Sequence, residues 1–189
     1  MRRHWVGSYA VSDPVTRDLL STFDGVRRRL FGRLDGLTDA EYLWEPAEDS
    51  LNIGPRKGGS FGVDELFPEP VPDGPDPVTT IAWRIMHIGT GCLRGYVIHF
   101  FEDVQDFGDR LAWPGTAAEG LQALAEDWER FVSRIASLGD EGLLAPMGRG
   151  PGGWADERYL KLALHALDEV AHHGGEIGLL RDLYLRERR

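Results

Sequence analysis

In four long stretches of this chain apolar side chains recur at steps of three and four residues, and no stretch shows a convincing strand pattern. That period places the apolar residues on one side of an α-helix. The first stretch opens at "SDPVTRDLL", where Asp13 stands at the cap position and Pro14 at the first helical position, which needs no N–H donor. Val15, Leu19, Phe23, Val26, Leu30 and Leu34 form its stripe. "TDAE" (residues 38–41) reads as a capping box that starts a short helical turn before Pro46. The second stretch begins near Pro77–Thr80 and sets Ile81, Ile85, Ile88, Cys92, Tyr96, His99 and Phe100 roughly on one side. The third follows another capping box, Thr116 to Glu119, with Leu121, Leu124, Trp128, Phe131, Ile135 and Leu138 as its buried row. A glycine-rich break, "GRGPGGW", separates it from the fourth, at about residues 156–187. Four amphipathic helices predict an all-α helical bundle.

Between the first two helices, residues 47–76 are dense in glycine and proline and show no period. An irregular stretch of this length inside a compact domain is often functional. A lid, a short hairpin around Ser60–Val63 and a mobile loop all fit it. The whole chain, residues 1–189, has the length of a single domain, and 42% hydrophobic residues suffice for a core. A net charge of −10 opposes binding to nucleic acid and to anionic membrane surfaces. The single cysteine, Cys92, has no partner for an internal disulfide, which fits a cytoplasmic location. No run is apolar enough for a signal peptide or a membrane span.

The last helix carries "ALDEVAHHGGEIGLLRDLY", and in it His165, Glu169, His172, His173 and Glu176 share one broad polar face. Glu169 and His173 are four apart, so a carboxylate oxygen and an imidazole nitrogen can meet one cation. His172 reaches the same place by a step of three. A third ligand has to come from another helix, and His87, set between Met86 and Ile88, is the natural candidate. A solvated i,i+4 pair accounts for Glu169 and His173 as well, and a hydrogen-bonded core histidine accounts for His87. His99 lies more than three helical turns further on, too far to share the ion. Cys92 reads as a small core filler, because nothing basic adjoins it. Gly58, Ser60 and Gly62 have the spacing of a serine nucleophile elbow, but no strand precedes them. The glycine runs lack the Gly-Lys-Ser/Thr ending of a phosphate loop.

A long first helix followed by "GLTDAEYLWEP", then "TTIAWRIMHIG", then "DEVAHHGGEIGLLRDLY" resembles the DinB/YfiT-like superfamily in its actinobacterial branch, over about residues 15–185. The resemblance implies an up-down-down-up four-helix bundle with a long irregular loop between helices 1 and 2, and a metal held at one end by three side chains. The common ligand pattern is three histidines. Carried over by position, the ligands are His87, Glu169 and His173, so this chain departs from the pattern at Glu169. The family's mycothiol-dependent maleylpyruvate isomerase is similar in having glutamate there. Zinc, nickel, iron(II) and manganese all suit such a set. The implied activity is that of a metal-dependent thiol S-transferase, or of a thiol-dependent isomerase, acting on a small electrophile with mycothiol as co-substrate. A thiol on a divalent ion with open positions loses its proton near neutral pH, so the protein needs no nucleophile of its own. Arg84 and Arg94 are candidates for placing an anionic group, and His172 and Glu176 for orienting His173 or relaying protons. The rivals are a non-catalytic metal- or small-molecule-binding bundle and a metal-assisted hydrolase. Bundles of this family often pair, which makes a homodimer an expectation.

Overall fold

The computed structural model describes residues 13–56, 60–63, 77–102, 109 and 111–187. Its first helix, α1 (Pro14–Arg33), starts at the predicted proline but is capped from a distance. The Asp13 side chain makes no cap hydrogen bond to α1. The carboxylate of Asp140 accepts instead from the Val15 and Thr16 N–H groups, at 3.2 and 2.8 Å, and from the Thr16 hydroxyl at 2.8 Å. Leu19, Phe23, Val26, Leu30 and Leu34 are buried as the stripe predicts, whereas Val15 is exposed at the helix mouth.

In α2 (Asp39–Tyr42) the Thr38 side chain accepts from the Glu41 N–H, the first half of a capping box. The Glu41 carboxylate goes elsewhere. It is buried and takes the Arg181 Nε–H at 2.9 Å, which ties this turn to the last helix. The loop that follows contains the hairpin: β1 (Gly54–Pro55) pairs antiparallel with β2 (Phe61–Gly62). Residues 57–59 and 64–76 lie outside the described residues, and the lid reading falls largely on them. At Gly62 (φ +154°) a Cβ would stand 1.9 Å from the Leu111 carbonyl oxygen, so only glycine fits this crossing. Leu51 bridges to Thr79, and the Asn52 Oδ1 accepts from the Thr80 hydroxyl at 2.9 Å. Thr80 in turn caps the next helix by accepting from the Trp83 N–H.

That helix is the centre of the molecule. α3 (Ile81–Met86) passes into a π-helical stretch (His87–Arg94) and then into α4 (Gly95–Phe101). Right-handed helical dihedrals continue through both junctions, at His87 (φ −60°, ψ −47°) and Gly95 (φ −58°, ψ −42°). The expectation of one buried side is corrected here. Ala82, Met86, Leu93 and Val97 are as inaccessible as Ile81, Ile85 and Ile88. The rod is covered by α5 (Ala117–Leu144) and by α6 (Tyr159–Glu187), so it has no single wet face.

α5 opens at Thr116, whose side chain accepts from the Glu119 N–H, and it bends at Gly139 (φ +62°, ψ −177°). Phe23 of α1 meets Trp128 and Phe131 of α5 with ring centroids 5.9 and 5.8 Å apart. Full burial of such rings contributes roughly 1.5–3 kcal/mol each, which anchors α1 on α5. A 3₁₀ turn (Trp154–Asp156) leads into α6, which packs on α1, α3, α5 and the π-helical stretch. Among the described residues no helix is long and apolar enough to cross a membrane.

Candidate metal centre

α6 and the central rod bring one carboxylate and two imidazoles together. Oε2 of Glu169 lies 3.2 Å from Nε2 of His173 on its own helix and 3.4 Å from Nε2 of His87 on the rod. The first distance is the i,i+4 step of an α-helix. The second depends on how the rod packs on α6, with the rings of His87 and His173 edge to face at 4.8 Å. Both imidazoles are largely buried, with side chains 13% and 10% exposed, and Glu169 is 25% exposed. Ligand atoms around a tetrahedral ion, each at about 2.0–2.2 Å, stand about 3.3 Å from one another. The two separations from Glu169 are therefore of the size that ligands of one divalent ion show.

Each ring is oriented by a further neighbour. Nδ1 of His173 lies 2.7 Å from Oε2 of Glu176, leaving Nε2 to face Glu169. Glu176 is itself held by Arg84, whose Nε is 2.9 Å from Oε2 and whose Nη2 donates to Oε1 at 3.2 Å. A carboxylate on the far nitrogen is the usual way a histidine ligand is aimed. His87 stacks on Trp83 at 5.2 Å with the planes 11° apart. Burial lowers the proton affinity of His87, and the neighbouring His173 adds to it. Burial alone would raise the pKa of Glu169, but the imidazoles of His173 and His87 outweigh it and hold the carboxyl below its ordinary range. At neutral pH the site thus presents a carboxylate and a neutral His87, the forms a cation binds.

The other predicted residues divide. His172 is two-thirds exposed and turns to Oε1 of Glu176 at 3.5 Å, away from Glu169. Glu176 and Arg84 stand beside the cluster as described. Arg94 does not join it. Its Nε donates to Oδ1 of buried Asp127 on α5 at 2.8 Å, and its guanidinium lies over Trp113, so the anion it was expected to place is supplied by the protein itself. His165 reaches Oε1 of Glu169 at 3.7 Å. His99 lies edge to face with Phe100, ring centroids 6.4 Å apart.

At Cys92 the structure adds a neighbour that the spacing does not show. Cys92 is buried, as a core filler would be, but its Sγ is 3.7 Å from Oε2 of Glu169. The ligand atoms of His87, Cys92 and Glu169 lie within 4.8 Å of one another, and so do those of His172, His173 and Glu176. Burial raises the Cys92 thiol to about 12, and the Glu169 carboxylate adds to the shift. No residue pattern marks Cys92, because a five-residue step from His87 points elsewhere on an α-helix. The π-helical stretch brings the two onto one side.

The fold and this constellation define a helical chain with a clustered set of imidazole, carboxylate and thiol donors. The chain belongs to the DinB superfamily, which matches it over residues 22–177. No curated protein and no solved structure matches it.

Proposed function

We propose that His87, Glu169 and His173 hold one divalent ion, and that the chain uses this centre to activate a small thiol for attack on an electrophile. The observation that carries the proposal is the meeting of two Nε2 atoms and one carboxylate oxygen, from two helices, at 3.2 and 3.4 Å. A divalent ion at that point supplies the charge that lowers the pKa of a thiol joining it. Glu169 offsets part of that charge, and Glu176 fixes the ring of His173. Arg84 is occupied in positioning Glu176. By family resemblance the thiol is mycothiol, the transformation is S-transfer or thiol-dependent isomerisation, and the helices run up-down-down-up. The test combines two measurements. Purified protein should carry about one divalent ion per chain, and metal-replete protein should bind mycothiol by calorimetry and transfer it to a bimane electrophile over many cycles. Absence of thiol binding by the metal-replete protein would end the thiol proposal.

A metal-binding chain without turnover is the rival, favoured by a specific observation. A buried sulfur beside the three donors can occupy a position that an incoming thiol would need. Consumption of electrophile limited to one equivalent would favour it.

A further inference from the structure

We infer that Cys92 is a fourth protein ligand at this centre, its sulfur completing a mixed imidazole, carboxylate and thiolate set with His87, Glu169 and His173. The inference rests on the metal proposal above and adds to it a donor of different chemistry.

The backbone supplies the first argument. His87 opens the π-helical stretch and Cys92 follows five residues later, which is one i→i+5 step of that helix. Both side chains therefore look toward α6, where Glu169 stands between them. Distances supply the second. A thiolate at about 2.3 Å and a carboxylate oxygen at about 2.0 Å from a tetrahedral ion stand about 3.5 Å apart. The observed separation is 3.7 Å. The third is closure of the set. The ligand atoms of His87, Cys92 and Glu169 all lie within 4.8 Å of one another, so the sulfur is within reach of both donors at once. Charge is the fourth. One carboxylate and one thiolate neutralise a divalent ion, so the loaded centre carries no net charge in a largely buried place.

Binding is a proton exchange without redox change. The sulfur–metal bond forms as the S–H bond breaks, and the proton leaves to buffer. Two consequences follow. A soft sulfur donor turns the site toward zinc or iron(II) and away from manganese. Four protein donors also close the shell of a tetrahedral ion, while an ion that accepts five or six ligands keeps room for a substrate.

The chain contains a single cysteine, so its cobalt spectrum reports on one sulfur. Metal-free protein in thiol-free buffer is titrated with Co²⁺ and followed in the visible and near-ultraviolet. The expected result is ligand-field bands together with a sulfur-to-cobalt charge-transfer band, both saturating at about one ion per chain. Cys92→Ser should keep the ligand-field bands and lose the charge-transfer band. Its affinity should fall by at least the roughly 10- to 100-fold that loss of an orienting neighbour costs. Ligand-field bands without charge transfer in the natural protein would overturn the sulfur ligand and leave the His87, Glu169 and His173 site standing. No bands at all would overturn both. Because the natural protein decides the matter, a Cys92→Ser chain that fails to fold does not obscure the outcome.

Discussion

Nδ1 of His173 and Oε2 of Glu176 lie 2.7 Å apart on adjacent turns of α6, and this contact sets which nitrogen of the ring faces Glu169. Arg84 completes the line from the rod side. Replacing Glu176 with alanine frees the ring and leaves Arg84 without its carboxylate. Metal affinity should fall about 10- to 100-fold, measured by competition with a chromophoric chelator. His172→Ala should leave it nearly unchanged, since that side chain is exposed and faces Glu176 rather than Glu169.

His87→Ala and Glu169→Ala should each abolish stoichiometric metal, read by elemental analysis of freshly purified protein. The two residues come from different helices, so an ion bound between them would also staple the rod to α6. Free ion at 100 times its dissociation constant stabilises the fold by about 2.7 kcal/mol, which a chelator should remove as a drop in melting temperature. In His87→Ala the chelator should have no effect.

Asp140 receives two N–H groups and a hydroxyl from the first turn of α1, while Asp13 Oδ1 accepts from the Asp140 N–H at 3.3 Å. The two aspartates thus serve the start of one helix and the bend of another. Asp140→Ala should lower the urea midpoint of unfolding, because the first-turn N–H groups of α1 lose their acceptor. Asp140→Asn should lower it less.

Glu41 and Arg181 form a buried pair, with side chains 2% and 12% exposed. Removing one partner leaves the other buried and uncompensated. Arg181→Ala should destabilise by about 3–5 kcal/mol, and the double replacement with apolar residues should recover part of that loss. Chemical denaturation of the three variants measures both.

At the end of α4, hydrogen bonds from Arg130, with a further one from Arg134, hold the Glu102 carboxyl below its ordinary range. A carboxyl whose folded pKa is depressed contributes stability above its unfolded value, roughly 4.3, and loses it as pH falls through the folded value. Both arginines are about half exposed, so solvent screening keeps each pair within about 1 kcal/mol. The stability difference between the natural protein and Glu102→Gln should be flat from about pH 5 to 8 and shrink below about pH 4. A difference that grows on acidification would contradict this arrangement.

What the sequence made legible was local and periodic. The helical stripes and the caps at Thr38 and Thr116 follow from residues within one turn of one another. Long-range partners escaped it. The cap of α1 comes from Asp140, the partner of Arg94 is Asp127, and the second half of the Thr38 box is diverted to Arg181. None of these pairings leaves a trace in spacing. The pairing of His87 with Glu169 and His173 is expected from family resemblance, since local pattern does not say which helices are neighbours. Cys92 was hidden for a different reason. The α-helical period does not hold in a stretch whose hydrogen bonds reach one residue further.

That extra reach also acts as a gear in the middle of the rod. Rewinding the stretch from His87 to Arg94 into ordinary turns would swivel everything downstream relative to everything upstream. Tyr96 would leave His165 and Arg94 would leave Asp127, while Trp83 and Arg84 stayed where they are. A single-residue deletion between His87 and Cys92 would therefore damage the two sides of this helix unequally, sparing the end nearest the hairpin.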